Sequence, residues 1–191
     1  LLKQYFSNEI WANFSDEGLV AIGKYHVKAV EPESVFEIPE ANFQATVFEL
    51  SHTSTHRSSA ILLNHQNQYI LYLGDTGSDR VEGSQKLENL WKNIAPLVKN
   101  KALKAIMIEV SFPNAQKEQF LFGHLTPKLL HEELSKLAVL VGKENMKGLN
   151  IVITHRKPAE NNPEMIADEL MKNNPFQVKF WFPEQGKKLS F

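Results

Sequence analysis

Gln68-Tyr69-Ile70-Leu71-Tyr72-Leu73-Gly74-Asp75-Thr76-Gly77 decides how the chain is read. The apolar run 69–73 has the length and composition of a buried strand and stops at Gly74-Asp75. A carboxylate at the C-terminal end of such a strand is where α/β enzymes place metal ligands and catalytic groups. The glycines on either side allow close backbone approach or positive φ. The same residues also spell an ordinary turn, because Gly and Asp are default turn residues. The surrounding chain has to choose between the two.

Upstream, 59–63 is a second apolar run, joined to 69–73 by 64–68, and the pair predicts a β-hairpin with His65 exposed in its turn. Residues 43–50, 35–38 and 19–30 read as further strands, with a turn at 31–34. Residues 1–14, with aromatics at Tyr5, Phe6, Trp11 and Phe14, read as a short helix running into a loop. Downstream, Leu87, Leu90, Trp91, Ile94, Leu97 and Val98 have the offsets of an amphipathic helix over 81–99, with Gly83-Ser84 as its N-cap region. Asp79 and Arg80 read as a solvated turn. Residues 103–110 form a buried strand, and 114–123 a polar loop or short helix. Thr126-Pro127 opens a second helix to about 141, by the preference of Thr for the N-cap and Pro for N1. A strand at 148–154 follows. Asn162-Pro163 opens a third helix to about 173, and 177–182 and 187–191 read as closing strands. This order predicts an α/β fold with a mixed sheet covered by helices.

The 191 residues suit a single domain over 1–191. Lys+Arg 21 against Asp+Glu 22 leaves a net charge of -1. No global basic field exists to recruit nucleic acid, which is therefore not an expected partner. No apolar stretch is long enough to span a bilayer, so a soluble protein is expected. With no cysteine, disulfides and thiolate metal sites are excluded. Any transition-metal site must use His and carboxylate. The absence of Cys fits a reducing or an oxidising compartment, so cytoplasm and periplasm both stay open, as does self-association. The start at Leu1-Leu2-Lys3, without Met or a signal-peptide pattern, suggests a processed protein or a fragment.

Several strand ends carry groups that ligate metal or move protons. Asp75 follows 69–73, Glu109 closes 105–108, His155 follows 151–153, and His52 follows 43–50. His124 lies just before a helix N-terminus, where free N–H groups favour phosphate. His and Asp without Cys suit a hydrolytic zinc or manganese site. Two metals need a bridging carboxylate, a role open to Asp75. A single histidine is more often exposed or hydrogen-bonded than a ligand, and His26, His65 and His131 keep that reading. Glu109 has a structural alternative, pairing with Lys104 or a backbone donor. Thr76 and Ser78 are open to phosphate contact or to ordinary turn roles.

The set Gly74-Asp75-Thr76-Gly77, Glu109-Val110-Ser111-Phe112, Gly123-His124-Leu125-Thr126-Pro127 and Ile153-Thr154-His155-Arg156-Lys157-Pro158 resembles the class II 3′,5′-cyclic nucleotide phosphodiesterases of the metallo-β-lactamase superfamily. Residues 5–14 resemble that family too, with Ala12-Asn13 where it usually has Pro-Asp. The resemblance covers essentially the whole chain. It implies a metallo-β-lactamase-like αββα sandwich. It implies two divalent metals, zinc first, with manganese or iron as alternatives. Asp75 is then the bridging ligand, His155 the last metal histidine, and His52 the further ligand with His56 as its fallback. His124 and Glu109 are similar to the His and Glu that related zinc-dependent RNA phosphodiesterases use near the scissile phosphate. The implied reaction is hydrolysis of a cyclic nucleotide, cyclic AMP first, to the nucleoside 5′-monophosphate by a metal-bridging hydroxide.

One departure is large. The superfamily's His-x-His-x-Asp-His motif is absent, since no two histidines here are separated by one residue. The chain therefore resembles the C-terminal portion of such an enzyme, and its expected partner is the missing N-terminal portion of the same fold. Each metal keeps about two protein ligands where zinc takes three or four. The segment alone is expected to bind metal weakly and to hydrolyse nothing. Two other readings compete. One is a metallo-β-lactamase-fold RNA phosphodiesterase, disfavoured by the lack of basic surplus. The other is a non-catalytic α/β binding module.

Overall fold

The computed structural model describes residues 7–53, 56–159 and 161–191. These divide into two compact units, Leu1–Glu31 and Pro32–Phe191. In the first unit the strand expected over 19–30 does not form. Gly18, Val20 and Gly23 have φ of 93°, 51° and 70°, values that extended backbone excludes. The segment instead folds back on Asn13, whose side-chain amide donates to the carbonyls of Glu17 (2.8 Å) and Leu19 (3.2 Å). One parallel bridge, Ser15 to Tyr25, is the only strand-like pairing described in this unit. Residues 7–14 bend without making the expected helix; Tyr5 and Phe6 lie outside the described residues.

The second unit is built on one seven-stranded sheet in simple sequential order. Its strands are β1 (Val35–Ile38), β2 (Phe43–His52), β3 (His56–His65), β4 (Gln68–Leu73), β5 (Leu103–Glu109), β6 (Asn150–Thr154) and β7 (Lys179–Trp181). β1 to β4 pair antiparallel and β4 to β7 pair parallel. The helices are α1 (Asp79–Glu82), α2 (Lys86–Lys99), α3 (Pro127–Val141), α4 (Lys143–Met146) and α5 (Asn162–Lys172). The mixed α/β sheet is as the element order predicts. The sandwich implies two sheets, whereas the described residues form one.

Local departures have local causes. The hairpin turn is Gln66-Asn67, both at positive φ (52° and 61°), the backbone of a two-residue type I′ turn. His65 is thereby drawn out of the predicted loop and into the ladder opposite Gln68, with its ring 5.1 Å from that of Phe43. The helix expected over 81–99 is two helices, because Gly83 (φ 62°) ends α1. Asp79 is no solvated turn residue. It is buried, and its carboxylate accepts the N–H groups of Leu87 (3.1 Å) and Glu88 (2.8 Å) and the Ser84 hydroxyl (2.6 Å). It therefore supplies the N-terminal cap of α2 from a distance. Asp79 N–H in turn donates to buried Glu133 in α3 (3.1 Å), which also accepts Trp91 Nε1 (3.2 Å). Arg80 bonds Glu132 (3.0 Å) and Glu118. In α3, Thr126 accepts the Leu129 N–H with Pro127 behind it, as expected. α5 begins at Asn162 with no side-chain cap bond. No strand forms over 187–191; Lys187 N–H closes a turn on Glu184, and Phe191 packs edge-on to Trp181 at 5.5 Å.

The sheet has two unlike faces. Leu62, Leu71, Ile106 and Ile151 lie in register, as do Ala60 with Leu73 and, separately, Ile108 with Ile153. They form one core with Trp91, Ile94, Leu134 and Leu137 from α2 and α3. The opposite face carries a row of Val47, Ile61, Tyr72, Met107, Val152 and Trp181. None of these six belongs to the helix-covered core. Among the described residues no helix is long and apolar enough to cross a membrane.

His131, read from sequence as an exposed or hydrogen-bonded residue rather than a ligand, is half-buried in α3 with its ring edge-on to Phe180 at 6.1 Å. Burial holds its pKa below the ordinary 6.5, against the opposing effect of backbone bonds at Pro127 and Asn173. On acidification the unfolded chain takes up this proton first, so the stabilisation is complete above the unfolded value and is lost as pH falls toward the folded one. Thermal melts of the parent and His131→Leu between pH about 7.5 and about 5 should show the parent losing ground to the variant as pH drops. A gap between the two that is independent of pH would refute the effect of burial.

Candidate metal centre

Topology brings the chemistry to one sheet edge. β4, β5 and β6 are parallel, and β2 runs the same way because two antiparallel pairings separate it from β4. Four chain ends therefore emerge together. His52 is the last residue of β2, Glu109 is the last of β5, Asp75 lies two beyond β4, and His155 lies one beyond β6. His124 is delivered by the loop before α3, which is tied to β5 by Ser111 N–H donating to Leu125 O (3.1 Å).

The five side chains converge. His155 Nδ1 is 2.7 Å from Asp75 Oδ1, and His124 Nδ1 is 2.8 Å from Glu109 Oε1. The His124 ring stands between those of His52 (4.9 Å) and His155 (5.1 Å), edge-on to both. Ligand atoms of His52, Asp75 and His124 all lie within 4.8 Å of one another, as do those of Glu109, His124 and His155. The two halves differ in exposure. The Asp75 and His155 side chains are 40% and 43% exposed, against 1% and 7% for Glu109 and His124. A solvent-facing pair thus sits beside a buried one.

Glu109 pairs with His124 and backbone rather than with Lys104. Besides His124 it accepts the Thr76 N–H (3.3 Å) and the Ser111 hydroxyl (2.9 Å). The Asp75 loop hangs from β2 as well. Gly77 N–H and Thr76 Oγ1 both donate to Ser51 O, at 3.1 and 3.2 Å. Thr76 and Ser78 are buried, and Ser78 accepts the Val81 N–H to start α1, so both hydroxyls have turn roles. Gly74 is required at the strand end, since a Cβ there would lie 2.7 Å from Ser58 Oγ and 3.1 Å from Ser59 O.

The donor set fits a divalent metal. It is all imidazole nitrogen and carboxylate oxygen, the set that zinc, manganese and iron accept. His52 Nδ1 lies 3.0 Å from Gly123 O; donation there leaves Nε2 free for a metal, in the carbonyl-backed arrangement usual for metal-binding histidines. His56 is exposed at the start of β3, with Nδ1 2.8 Å from Thr53 Oγ1, and belongs to neither converging group. His26 pairs with Asp16 in the first unit. Two residues that matter here were not singled out from sequence. Ser111 follows Glu109 at i+2, the spacing that puts side chains on one side of extended backbone. Gly123 is marked only by its place before His124.

This sheet, with its His and carboxylate cluster at one edge, is a metallo-β-lactamase-type fold. YhfI from Bacillus subtilis, a metallo-β-lactamase fold protein, superposes with a TM-score of 0.51 over 86% of this chain and 53% of its own, at 14% identity. The unliganded yeast PDE1 crystal structure superposes with a TM-score of 0.79 over 94% of this chain and 53% of that one, at 28% identity. The family model for class-II cAMP phosphodiesterases matches residues 1–179, and the chain belongs to that family. It is 38% identical over its full length to a 3′,5′-cyclic-nucleotide phosphodiesterase of Aliivibrio fischeri and 36% identical to a probable one of Yersinia pestis. It spans 59% and 57% of the lengths of those two relatives.

Gly123 tests the His52 contact. At φ +78°, a Cβ would stand 2.4 Å from Thr53 N and 2.8 Å from His52 Nδ1. Gly123→Ala should therefore lower unfolding stability by about 1–3 kcal/mol and displace His52, weakening zinc binding. Denaturant unfolding midpoints and zinc calorimetry measure the two effects. An unchanged midpoint would mean that the loop yields without cost.

Proposed function

We propose that this chain is the C-terminal portion of a metal-dependent enzyme that hydrolyses 3′,5′-cyclic nucleotides, cyclic AMP foremost, to nucleoside 5′-monophosphates. The observation that carries this reading is the convergence of His52, Asp75 and His155 beside the Glu109–His124 pair in a member of the class-II family. Asp75, His52 and His155 would hold two divalent metals, zinc first, with Asp75 as the ligand open to both. When bound, such metals supply Lewis acidity at the phosphoryl oxygens and water ionised near neutral pH.

The remaining work falls to residues of this chain. Attack at phosphorus forms one P–O bond and breaks the bond to the 3′ oxygen, which must gain a proton as it leaves. His124 is placed to contact that phosphate or supply that proton from Nε2, because Nδ1 is engaged by Glu109. Glu109 fixes the tautomer and the ring plane, and its burial keeps competing water away.

The partner is the remainder of the fold. The row Val47, Ile61, Tyr72, Met107, Val152 and Trp181 presents an apolar sheet face that the helix-covered core does not use. In a two-sheet sandwich such a face packs on the second sheet. About four-tenths of the length of the bacterial relatives lies outside the match, room enough for that sheet and for the further ligands that two zinc ions need.

Two measurements test this. Zinc calorimetry on the 191-residue chain alone should give weak binding and no hydrolysis of cyclic AMP; tight binding of two zinc ions would overturn the divided site. In the full-length protein, His155→Ala should lower kcat/KM for cyclic AMP by at least about a hundredfold, the loss typical of a disabled metal site. Unchanged hydrolysis would refute the metal assignment.

A further inference from the structure

Four polar atoms surround the hydroxyl of Ser111, a side chain wholly shielded from solvent. Ser111 Oγ is 2.9 Å from Glu109 Oε2 and 3.0 Å from the carbonyl oxygen of His155. It is also 3.3 Å from His124 Nδ1 and 3.5 Å from His155 Nδ1. The main chain adds two ties. Ser111 N–H donates to Leu125 O, and Lys157 N–H donates to Ser111 O at 3.3 Å. One residue thus joins the end of β5, the loop carrying His124 and the loop carrying His155.

His155 needs such a clamp. Its φ is 49°, in the left-handed region that a non-glycine residue keeps only when its surroundings hold it there. Backbone pairing flanks it, at Val110 N–H to Thr154 O (3.1 Å) and at Lys157 N–H to Ser111 O (3.3 Å). At His155 itself the described restraint on the carbonyl is the Ser111 hydroxyl. Glu109 Oε2 accepts the same single proton at nearly the same distance, so the hydroxyl is shared between the carboxylate and the His155 carbonyl and bridges the two.

We propose that Ser111 is a positioning residue of the metal centre: its hydroxyl holds the His155 backbone so that the ring meets Asp75, and ties that ring to the Glu109–His124 pair. The inference rests on His155 being a metal ligand, as proposed above, and its test separates the two claims. In the full-length protein, zinc affinity is measured by competition with a chelator for the parent, Ser111→Ala, Ser111→Thr and His155→Ala. Ile106→Val, in the helix-covered core, controls for general loss of stability. Ser111→Ala should weaken the more labile zinc by about ten- to a hundredfold, the range for groups that orient a metal ligand. Ser111→Thr, which keeps the hydroxyl, should recover most of that affinity, and Ile106→Val should leave it unchanged. Lost binding in His155→Ala with parental binding in Ser111→Ala overturns the role of Ser111 alone. Parental binding in His155→Ala overturns the ligand assignment beneath it. NMR of the unmutated 191-residue chain gives a reading that needs no variant to fold. A slowly exchanging Ser111 hydroxyl proton close to the His155 backbone is expected, and a freely exchanging one overturns the proposal.

Discussion

A carboxylate that is 1% exposed has to find donors inside the protein, because an unpaired buried charge costs several kcal/mol. Glu109 finds three, and each comes from a different stretch of chain: the Thr76 N–H, the His124 ring and the Ser111 hydroxyl. Satisfying this one group fixes the loop after β4, the loop before α3 and the extension of β5 against one another. Asp75 is adjacent to the first anchor, His124 is the second, and His155 is held through the third. The arrangement of the edge therefore follows from the burial of Glu109 more than from any contact among the exposed groups. Asp75 and His155 are open to solvent while the residues next to them are bonded into the interior.

A second buried acid supports the first from behind. Asp79 caps α2 and is itself held by Glu133 of α3. The five residues from Asp75 to Asp79 thus have a fixed point at each end, Glu109 above and Glu133 below. α2 and α3 pack side by side on the helix-covered face through this link and through Trp91, whose Nε1 also donates to Glu133. The loop that carries the proposed bridging ligand is built into the core at both ends, which suits a group that must not shift when a charged ligand arrives.

Much of this was legible in the sequence for simple reasons. Parallel strands joined by helices must all end at one sheet edge, so Asp75, Glu109 and His155 could be grouped from strand endings alone. Thr126-Pro127 named a helix start because both residues have a stereochemical reason to stand there. The failures have reasons as well. Residues 19–30 carry β-branched and aromatic side chains, but pattern says nothing of a Val20 at φ 51° between Leu19 O and Ile22 N–H, both bonded to Asn13. Gln66-Asn67 lacks the glycine that usually announces a two-residue turn, so the hairpin looked looser than it is. Asp79 resembled surface because its partners are backbone groups eight and nine residues on and a glutamate 54 residues away. Ser111 and Gly123 matter through contacts that only the assembled loops create.

The exposure pattern bears on how a cyclic phosphodiester would be handled. His124 is only 7% exposed and its Nδ1 is taken by Glu109, so whatever it does must use Nε2 from a ring set between His52 and His155. Asp75 and His155 instead face outward, where ligands from a second sheet could complete a cage. On the proposed reading the site has a rigid half supplied by this chain and a half supplied by the remaining length of the relatives. On the same reading the two halves would meet across the apolar face that carries Tyr72 and Met107. The folding of one half onto the other and the completion of the metal cage would then be a single event, because the strands that present the ligands are the ones whose second face needs covering.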